Sequence, residues 1–465
     1  MAKTFHRRAL KTSRRRGASQ RPLGSKSARR ALELVYHSAV AAADPALILK
    51  QRVRIAGKHL IVDSAGGRLT LPLGRRNFLI GVGKGADRAA PVLSRLLGKR
   101  LNRGIFIVRD RVIRRRLPRI DFLVAGHPLP DERSVDAARR CIRLLADAGA
   151  EDLVIVFLMG GASSLLVAPA PGLTLADKRK ATALLLKSGM AIADMNTVRK
   201  HLSAVKGGGL LRAAQPARVA TLAISDVLGN DPAVIGSAPS FHDPTTFQDA
   251  LRLLRKHKIL GRMPKAARRR LDAGVRQRIP ETVKPGTALS RKSRFALLAD
   301  NRTALRAAKE KAEALGFKTT ILDSSIEGDA RKRAREFAAK VKKLAQKKSR
   351  ARLCLLLGGE TTVKVKGKGL GGRNQEFALA SALDLVGSGG IYLLSAASDG
   401  SDGPTDAAGA FVDATTVTKA RGLGLNPLAA LRRNDSYHFF RRLGDLFRPG
   451  PTGTNVLDFV IAIVE

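Results

Sequence analysis

Short apolar runs alternate with longer stretches of helical periodicity along most of the chain. In its first half the apolar runs are NFLIGVG, RGIFIVRD, DFLVAGH, DLVIVFLMGG and RVATLAISDV. Continuous apolar runs of this length, separated by helices, are typical of parallel strands that are buried on both faces. The pattern therefore predicts a doubly wound α/β fold, in which helices cover both sides of a parallel sheet.

The same alternation predicts two α/β domains. It begins with a helix over 28–56, and it breaks around 237–290 into a Pro-containing stretch and a basic helix. After the break it resumes with RFALLAD, KTTILD, RLCLLLGGE, GIYLLSAASDG and VLDFVIAIV. We therefore expect a first domain over residues 28–250, a linker region over 251–290 and a second domain over 291–465.

Length and composition predict a soluble protein with more than one domain. The chain of 465 residues exceeds what one hydrophobic core usually serves. No apolar run reaches the roughly 18 residues of a membrane-spanning helix, so we expect no membrane contact. The two cysteines, Cys141 and Cys354, lie in apolar runs without a metal-type spacing. They are interpreted as buried spectators in a reducing compartment.

The net charge of +47 is the unusual feature of the composition. Basic residues crowd the stretches 251–270 and 331–352, whereas residues 381–419 hold one lysine against five aspartates. The excess predicts weak, nonspecific, salt-sensitive binding of nucleic acid, and by itself it would suit a polyanion-binding protein without catalysis. Aromatic residues make up 4% of the chain, which argues against a domain that stacks bases. The sequence does not set the oligomeric state, and a homodimer is compatible with it.

The first 27 residues form a basic segment without an acidic residue, and we interpret them as a disordered tail. Their Arg- and Ser-rich composition is also typical of organellar transit peptides. We therefore expect a cytoplasmic protein, with an organellar location as the alternative if the tail is a transit peptide.

Glycine-bearing turns follow several predicted strands, and the ligands of an open α/β sheet bind at this edge. After the first strand, Gly81, Gly83 and Ala86 fit the dinucleotide pattern G-x-G-x-x-G/A. Lys84 in the same turn supplies a point charge suited to a phosphate, and a plain tight turn is the third interpretation. With Asp110 at the end of the next strand, the dinucleotide interpretation predicts a nicotinamide-dependent reductase.

Further turns carry residues suited to anions or to Mg²⁺. A Gly- and Ser-rich turn, GGASS at 160–164, opens a helix and can bind an anionic group. Asp226 and Asp231 follow LAIS, and Asp399 lies in the loop SDGSDGPTD, so three carboxylates of the kind that Mg²⁺ prefers follow strands. Each turn alone also fits an ordinary helix cap or Asx turn. Their combination favours a phosphate and Mg²⁺ site.

Basic residues outside the charged helices also suit anion binding. The segment NTVRKHLSAVKGGGL contains Arg199, Lys200, His201 and Lys206. Lys200 and Lys206 are predicted to bind substrate, with a solvated basic face as the alternative, and His201 alternatively is a hydrogen-bonded buried imidazole. Arg373 opens a helix between Gly and Asn, where its planar fork suits a phosphoryl or carboxylate oxygen.

Nine segments occur in the order found in the class II glycerate 2-kinases, whose second half is the MOFRL domain. They are GVGKGA, AGHPLPDERS, MGGASSLL, NTVRKHLSAVKGGGL, SDVLGND, GSAPSFHDPTTF, LLLGGETTV, GLGGRNQEFAL and SDGSDGPTDAAGAFVD. The chain resembles this family over residues 28 to 465. The resemblance implies a Rossmann-like N-terminal domain, a MOFRL α/β domain and an active site in the cleft between them. It also implies phosphorylation of D-glycerate to 2-phosphoglycerate with ATP and Mg²⁺.

The motifs and the resemblance together assign a role to each candidate residue. The family's proposed active-site lysine and arginine correspond to Lys84 and Arg373, which we expect to neutralise the transferred phosphoryl group. Asp226 is the third expected catalytic residue. The other expected roles are substrate binding by Gly161, Ser163, Ser164, Lys200 and Lys206, nucleotide binding by Gly81, Gly83, Gly359, Glu360 and Thr361, and Mg²⁺ binding by Asp226, Asp231 and Asp399. An NAD(P)H-dependent hydroxypyruvate reductase is the alternative enzyme.

Overall fold

The structure, a computed structural model, describes residues 24–110, 116–347 and 351–465. Its strands are β1 (Val53–Ala56), β2 (His59–Ser64), β3 (Gly67–Pro72), β4 (Asn77–Val82), β5 (Leu101–Val108), β6 (Ile120–Val124), β7 (Leu153–Leu158), β8 (Arg218–Ile224), β9 (Ser293–Ala299), β10 (Lys318–Asp329), β11 (Leu353–Thr362), β12 (Ile391–Ala397), β13 (Gly409–Asp413), β14 (Leu446–Phe447) and β15 (Asp458–Val464). Its α-helices are α1 (Ser25–Ala41), α2 (Pro45–Arg52), α3 (Ala90–Leu97), α4 (Glu132–Ala146), α5 (Ala162–Leu165), α6 (Leu175–Lys187), α7 (Ile192–His201), α8 (Gly209–Ala213), α9 (Phe247–Lys256), α10 (Lys265–Val275), α11 (Asn301–Ala314), α12 (Ala330–Ala345), α13 (Arg373–Asp384), α14 (Thr416–Gly422), α15 (Pro427–Arg432) and α16 (Ser436–Leu443).

The first sheet confirms the predicted doubly wound architecture. Its six strands lie in the order β6-β5-β4-β7-β8-β9, and every neighbouring pair is parallel. This is the strand order of dinucleotide-binding Rossmann folds, in which the chain leaves the sheet centre first to one side and then to the other. All residues of β4 and β7 are buried, as expected for central strands covered on both faces.

The second sheet is mixed. Its six strands lie in the order β10-β11-β15-β12-β13-β14, and only β10 and β11 pair in parallel. Helices α1 and α11 pack between this sheet and the first, so one hydrophobic core contains Leu79 of β4, Val35 of α1, Leu305 of α11 and Ile461 of β15. The two sheets therefore share one core.

The helix predicted over 28–56 is two helices and a strand. Helix α1 ends at Ala41, and the Asp44 carboxylate accepts the N–H groups of Ala46 and Leu47, both at 2.9 Å, as the cap of α2. Pro45 after the cap suits the first turn of a new helix, which explains the break. The chain then forms the antiparallel three-stranded sheet β1-β2-β3, which the apolar pattern did not predict.

The sheets divide the chain differently from the predicted boundaries. Strand β9 lies beyond residue 290 but pairs with β8 in the first sheet. Helix α9, which crosses the predicted boundary at residue 250, and helix α10 of the predicted linker region pack with α6 and α7 around Phe247 and Leu271. Conversely, a helix of the predicted first domain contacts the second sheet. Tyr36 of α1 donates its hydroxyl to the Ala397 carbonyl at the end of β12, at 2.8 Å.

Most of the predicted N-terminal tail lies outside the residues that the structure describes. Of the predicted tail, residues 1–23 lie outside them, while residues 25–27 belong to α1. Within the described chain no single helix is long and apolar enough to cross a membrane, although the bent pair α1 and α2 meets that test together. Cys141 and Cys354 are buried, and burial raises the pKa of each thiol to about 12.

Candidate active site

The turns after β4 and β7 lie side by side at the centre of the first sheet. At this point the chain stops adding strands on one side of β4 and begins to add them on the other side. Open α/β sheets bind their ligands in the crevice at this point. The Lys84 N–H donates to the Gly160 carbonyl at 2.9 Å, which ties the two turns together. Gly161 has a φ of +91°, a conformation that glycine adopts without strain, and it is the residue before α5.

Loops of the second sheet close over this crevice. The Lys84 ammonium donates to Asp399 at 3.2 Å, and Asp399 follows β12. A Cβ on Gly85 would lie 2.0 Å from the carbonyl oxygen of Gly453, so the two backbones touch and leave no room for a side chain. Arg88 donates to the Thr452 carbonyl at 3.0 Å. The crevice is therefore built from both halves of the chain, as predicted.

Arg373, the first residue of α13, is held by two carboxylates. Its guanidinium donates to both oxygens of Asp458, at 2.6 and 3.0 Å, and to Glu360 at 2.5 Å. Burial lowers the pKa of Arg373, but the two carboxylates outweigh it, and the net shift is upward. The guanidinium is therefore a permanent positive charge beside the crevice.

Asp226 lies at the end of β8 on the floor of the crevice. Its carboxylate accepts a hydrogen bond from Asn455 at 3.1 Å. Burial, followed by the negative charge of Glu360, raises the pKa of Asp226 to about 6. The charge of Lys84 lowers the pKa of this carboxyl group, and the charge of Asp399 raises it. Asp226 thus connects the group around Lys84 with the group around Arg373.

A cavity of about 490 Å³ opens among these residues. Its lining includes Gly161, Ser163 and Asp226 from the first half and Glu360 from the second, four of the predicted site residues. Lys84 stands directly behind this lining, because its Cγ lies 3.0 Å from the Cβ position of Gly161. Arg373 reaches the lining through its ion pair with Glu360.

Two predicted nucleotide-binding residues, Gly81 and Gly359, have packing roles in the structure, and their predicted contact with nucleotide stays a prediction. Gly81 lies inside β4, where a Cβ would lie 2.0 Å from the Phe106 ring. The turn expected after Leu357 does not form, because β11 continues to Thr362. Gly359 therefore lies within the strand, and a Cβ on it would meet the Ile326 carbonyl at 2.3 Å.

Three other residues that were predicted to bind ligand are also buried, closely packed or hydrogen-bonded within their own turn. Thr361, also within β11, is 5% exposed. Gly83 has a φ of +150° and leaves no room for a Cβ beside Met159. Ser164 donates its hydroxyl to the Gly161 carbonyl of its own turn at 3.1 Å. Their predicted roles in ligand binding stay predictions.

The predicted metal ligands do not form one group. Asp226 and Asp399 both lie at the crevice, but Asp399 pairs with Lys84. Asp231 accepts the N–H of Ala233 at 2.8 Å and stabilises its own turn. Among the described residues, no cluster of three or more His, Cys, Asp or Glu side chains could hold a metal ion. The three aspartates therefore do not form a preformed Mg²⁺ site, and their roles in Mg²⁺ binding stay predictions.

The structure gives no support to the prediction that Lys200 binds substrate, and the alternative of a solvated face is wrong. The Lys200 ammonium donates to Asp243 at 2.6 Å, and the two side chains are 4% and 0% exposed. Burial raises the pKa of Asp243, but Lys200 outweighs it and the net shift is downward. His201 is the hydrogen-bonded buried imidazole of the alternative interpretation, in contact with the Thr197 carbonyl and Glu281.

Replacement of Lys200 by methionine should therefore destabilise the protein without altering its substrate affinity. The change leaves the Asp243 carboxylate buried without its cation, which costs about 3 kcal/mol of unfolding free energy. Urea denaturation measures this loss, and the double variant Lys200→Met/Asp243→Asn should recover much of it. A folded Lys200→Met variant with weakened substrate binding would contradict the structural role.

Lys206 holds the turn that was predicted to bind substrate. Its ammonium donates to the Ser163 carbonyl at 2.8 Å, and the residue is 3% exposed. The Ser163 hydroxyl in turn contacts the Ser237 hydroxyl at 2.7 Å. Lys206 therefore acts behind the cavity wall, while Ser163 forms part of it.

Three residues at the crevice were not singled out from the sequence. Asp458 and Asn455 were missed, although an acid at the start of the otherwise apolar VLDFVIAIV is a usable signal. His127 was also missed, and it lies against Gly161, whose Cβ position is 3.2 Å from the imidazole Cδ2. Burial, followed by the charges of Lys84 and Arg109, lowers the pKa of His127 to about 4, so the ring is neutral.

Comparison with known proteins agrees with this geometry. A domain family of unknown function, DUF4147, matches residues 31–272, and the MOFRL family matches residues 353–458. The chain is 36% identical over 427 residues to the D-glycerate 2-kinase of Thermotoga maritima, covering 90% of this chain and 99% of that protein. It is 39% identical over 439 residues to a protein of Agrobacterium vitis provisionally named a hydroxypyruvate reductase, covering 93% of each. The crystal structure of the T. maritima glycerate kinase aligns with a TM-score of 0.82 at 34% identity, covering 95% of this chain and all of that one.

Proposed function

The chain belongs to the MOFRL family of glycerate kinases, and we propose that it transfers the γ-phosphoryl group of ATP to the 2-hydroxyl of D-glycerate. The observation that carries this proposal is that Lys84 and, through its partner Glu360, Arg373 both lie beside Asp226, although they come from different sheets. Their partners Asp399 and Asp458 lie close enough for the charge of Asp399 to add to the rise that burial causes in the pKa of Asp458. Two cations that flank one cavity suit a phosphoryl group in transfer.

The residues of the crevice divide the chemical work as follows. Lys84 pairs with one carboxylate and Arg373 with two, and each cation turns from these partners, or is shared by them, to bind oxygens of the phosphoryl group. Asp226 faces the substrate hydroxyl and takes its proton as the new O–P bond forms and the bond to ADP breaks. The products are 2-phosphoglycerate, ADP and the proton. The loops from the second sheet cover the crevice and limit access of water.

Mg²⁺ is proposed to bind together with ATP. Sites for phosphoryl transfer commonly hold Mg²⁺ by one or two carboxylates and the phosphates themselves, so no all-protein cage is needed. Asp226 and Glu360 fit this pattern, because both line the cavity and the charge of Glu360 raises the pKa of Asp226. A divalent cation held by these residues would relieve that repulsion. When bound, Mg²⁺ supplies charge neutralisation at the phosphates.

The rate should depend on pH through Asp226. Because the pKa of this carboxyl group is raised to about 6, its ionised form is lost as pH falls through that value. We expect kcat/KM for D-glycerate to fall about tenfold for each pH unit below the pKa of Asp226, which bound Mg²⁺ lowers from its value in the metal-free protein because a cation favours the ionised carboxylate. The Glu360→Gln variant should move the limb to lower pH, because it removes a charge that raises the pKa. A pH profile that stays level through this range would contradict the role of Asp226.

A reductase is the second candidate, and the name of the A. vitis relative favours testing it. The geometry does not support its dinucleotide motif, because Gly81 packs on Phe106 and Ala86 begins a short 3₁₀ helix, Ala86–Arg88. D-glycerate with ATP and Mg²⁺, followed by ³¹P NMR of the product, tests the kinase. Oxidation of NADH with hydroxypyruvate, in parallel, tests the reductase. Oxidation of NADH without formation of 2-phosphoglycerate would overturn the proposed function.

Three further expectations extend the proposal. A cytoplasmic location, weak nonspecific binding of nucleic acid and a homodimer stay predictions. A polyanion-binding protein without catalysis would show no turnover in the kinase assay.

A further inference from the structure

Helix α7 presents one face to the cavity that also contains Asp226. The residues of this helix that line the cavity are Ile192, Ala193, Asn196 and Arg199. Positions three and four apart lie on the same side of a helix, so these residues form one stripe. Lys200, one position later, points away to Asp243. Arg199, and not Lys200, is therefore the cation that α7 brings to the cavity.

Arg199, which is half-buried, belongs to a group of cations with the buried Lys178 and Lys206. Its guanidinium donates to the side-chain oxygen of Asn196 at 3.2 Å, on the same stripe. The ammonium groups of Lys178 and Lys206 donate to the carbonyls of Leu202, at 3.2 Å, and Ser163, at 2.8 Å. In the part of the chain that the structure describes, none of these three cations forms a salt bridge with a carboxylate.

Repulsion among these cations contributes to lowered pKa values of the two lysines. Burial, followed by the charge of Arg199, lowers the pKa of Lys178 to about 7. The same two causes lower the pKa of Lys206. An anion held by Arg199 would compensate these charges, because opposite charges attract strongly where water is excluded.

Groups of both signs therefore line the cavity. Arg199 and Ser163 belong to its lining, and so do the acidic residues Asp226, Glu327 and Glu360. A small molecule with a carboxylate at one end and a hydroxyl at the other fits this arrangement in one orientation. Guanidinium groups bind carboxylates through two parallel hydrogen bonds, which fixes orientation as well as charge.

We infer that Arg199 binds the carboxylate of the substrate and thereby turns its 2-hydroxyl toward Asp226 and the phosphoryl group. This inference rests on the proposed function. Asn196 acts as a positioning residue, because its side-chain oxygen holds the guanidinium. The site then selects small 2-hydroxycarboxylates over polyols of the same size, since a polyol leaves the buried cations without a counter-charge.

Replacement of Arg199 by glutamine should raise KM for D-glycerate and leave KM for ATP unchanged. Loss of a charged hydrogen-bonded contact corresponds to a change of about 10- to 100-fold in affinity. Arg199→Lys should lie between the variant and the wild type, because an ammonium retains the charge but not the fork. Free guanidinium should partly restore the activity of Arg199→Ala. The matched control is Arg252→Gln, at an arginine whose side chain is 73% exposed and which pairs with Asp249 on α9.

The outcomes separate the inference from the proposed function. Formation of 2-phosphoglycerate by the wild type, with an unchanged KM for D-glycerate in Arg199→Gln, would overturn the inference alone. Absence of product from the wild type would overturn the proposed function. In that case calorimetric titration of D-glycerate into wild type and Arg199→Gln, which needs no turnover, still decides the inference by the loss or retention of binding. Equal loss of affinity for ATP and D-glycerate would indicate a general structural defect and would also overturn it.

Discussion

Replacement of Lys84 by methionine is expected to lower kcat about 10³-fold, because it removes one of the two positive charges at the phosphoryl group. Methionine keeps most of the length of the side chain, so the packing of the aliphatic part against Gly161 is largely retained. The ion pair with Asp399 is partly exposed, with side-chain exposures of 24% and 21%, so its loss has little effect on folding. Steady-state kinetics and a thermal melt on the same sample measure the two effects.

The control for Lys84 is Lys99→Met, at an exposed lysine outside the crevice. It should retain wild-type kinetics. A Lys84→Met protein that is folded and turns over D-glycerate at the wild-type rate would exclude this lysine from the reaction.

Replacement of Arg373 by methionine should lower kcat by a similar factor, about 10³-fold, and should also destabilise the protein. The second effect arises because Asp458, which is 4% exposed, loses the guanidinium that it binds through both oxygens. A buried carboxylate without its partner costs about 3 kcal/mol of unfolding free energy. Kinetics below the melting temperature and urea denaturation separate the loss of rate from the loss of stability.

The double variant Arg373→Met/Asp458→Asn distinguishes catalysis from support of the fold. It replaces the Asp458 carboxylate, which is buried without its partner in the single variant, by a neutral amide. The double variant should therefore regain stability but not activity. Arg103→Met, at a surface arginine paired with Asp121, is the matched control and should change neither. Recovery of turnover together with stability in the double variant would show that Arg373 serves only the fold.

The architecture could be predicted because burial on both faces leaves a direct mark on sequence. Fully buried strands such as β4 and β7 read as unbroken apolar runs, and their order along the chain follows the doubly wound pattern. The antiparallel strands β1 to β3 were missed, since their short, half-exposed segments carry no such run. The boundary near residue 290 differed because β9 resembles any other buried strand, and nothing local shows which sheet it joins.

The candidate site could be predicted at strand ends but not in its side-chain pairings. Lys84, Asp226 and Glu360 meet at the crevice as expected, because the carboxyl ends of parallel strands share an edge. Lys200 was predicted at the site, whereas Arg199 of the same helix lines the cavity, because the phase of a short helix among basic residues is ambiguous and a distant carboxylate, Asp243, pairs with Lys200. Such long-range partners leave no local signal in a single sequence.

The same limit applies to glycine. Gly81 and Gly359 match ligand-binding patterns, yet each is small because a neighbouring ring or carbonyl occupies the space of its Cβ. Only the packing of β4 on β5 and of β11 on β10 distinguishes these cases from Gly161, which lines the cavity.

The most direct test of the account is a crystal structure of the protein with bound 2-phosphoglycerate. We expect the phosphate to lie in the cavity beside Asp226, with its oxygens within about 4 Å of both the Lys84 ammonium and the Arg373 guanidinium. A phosphate bound by one of these cations while the other stays with its own carboxylate, or a ligand outside this cavity, would contradict a shared site for phosphoryl transfer.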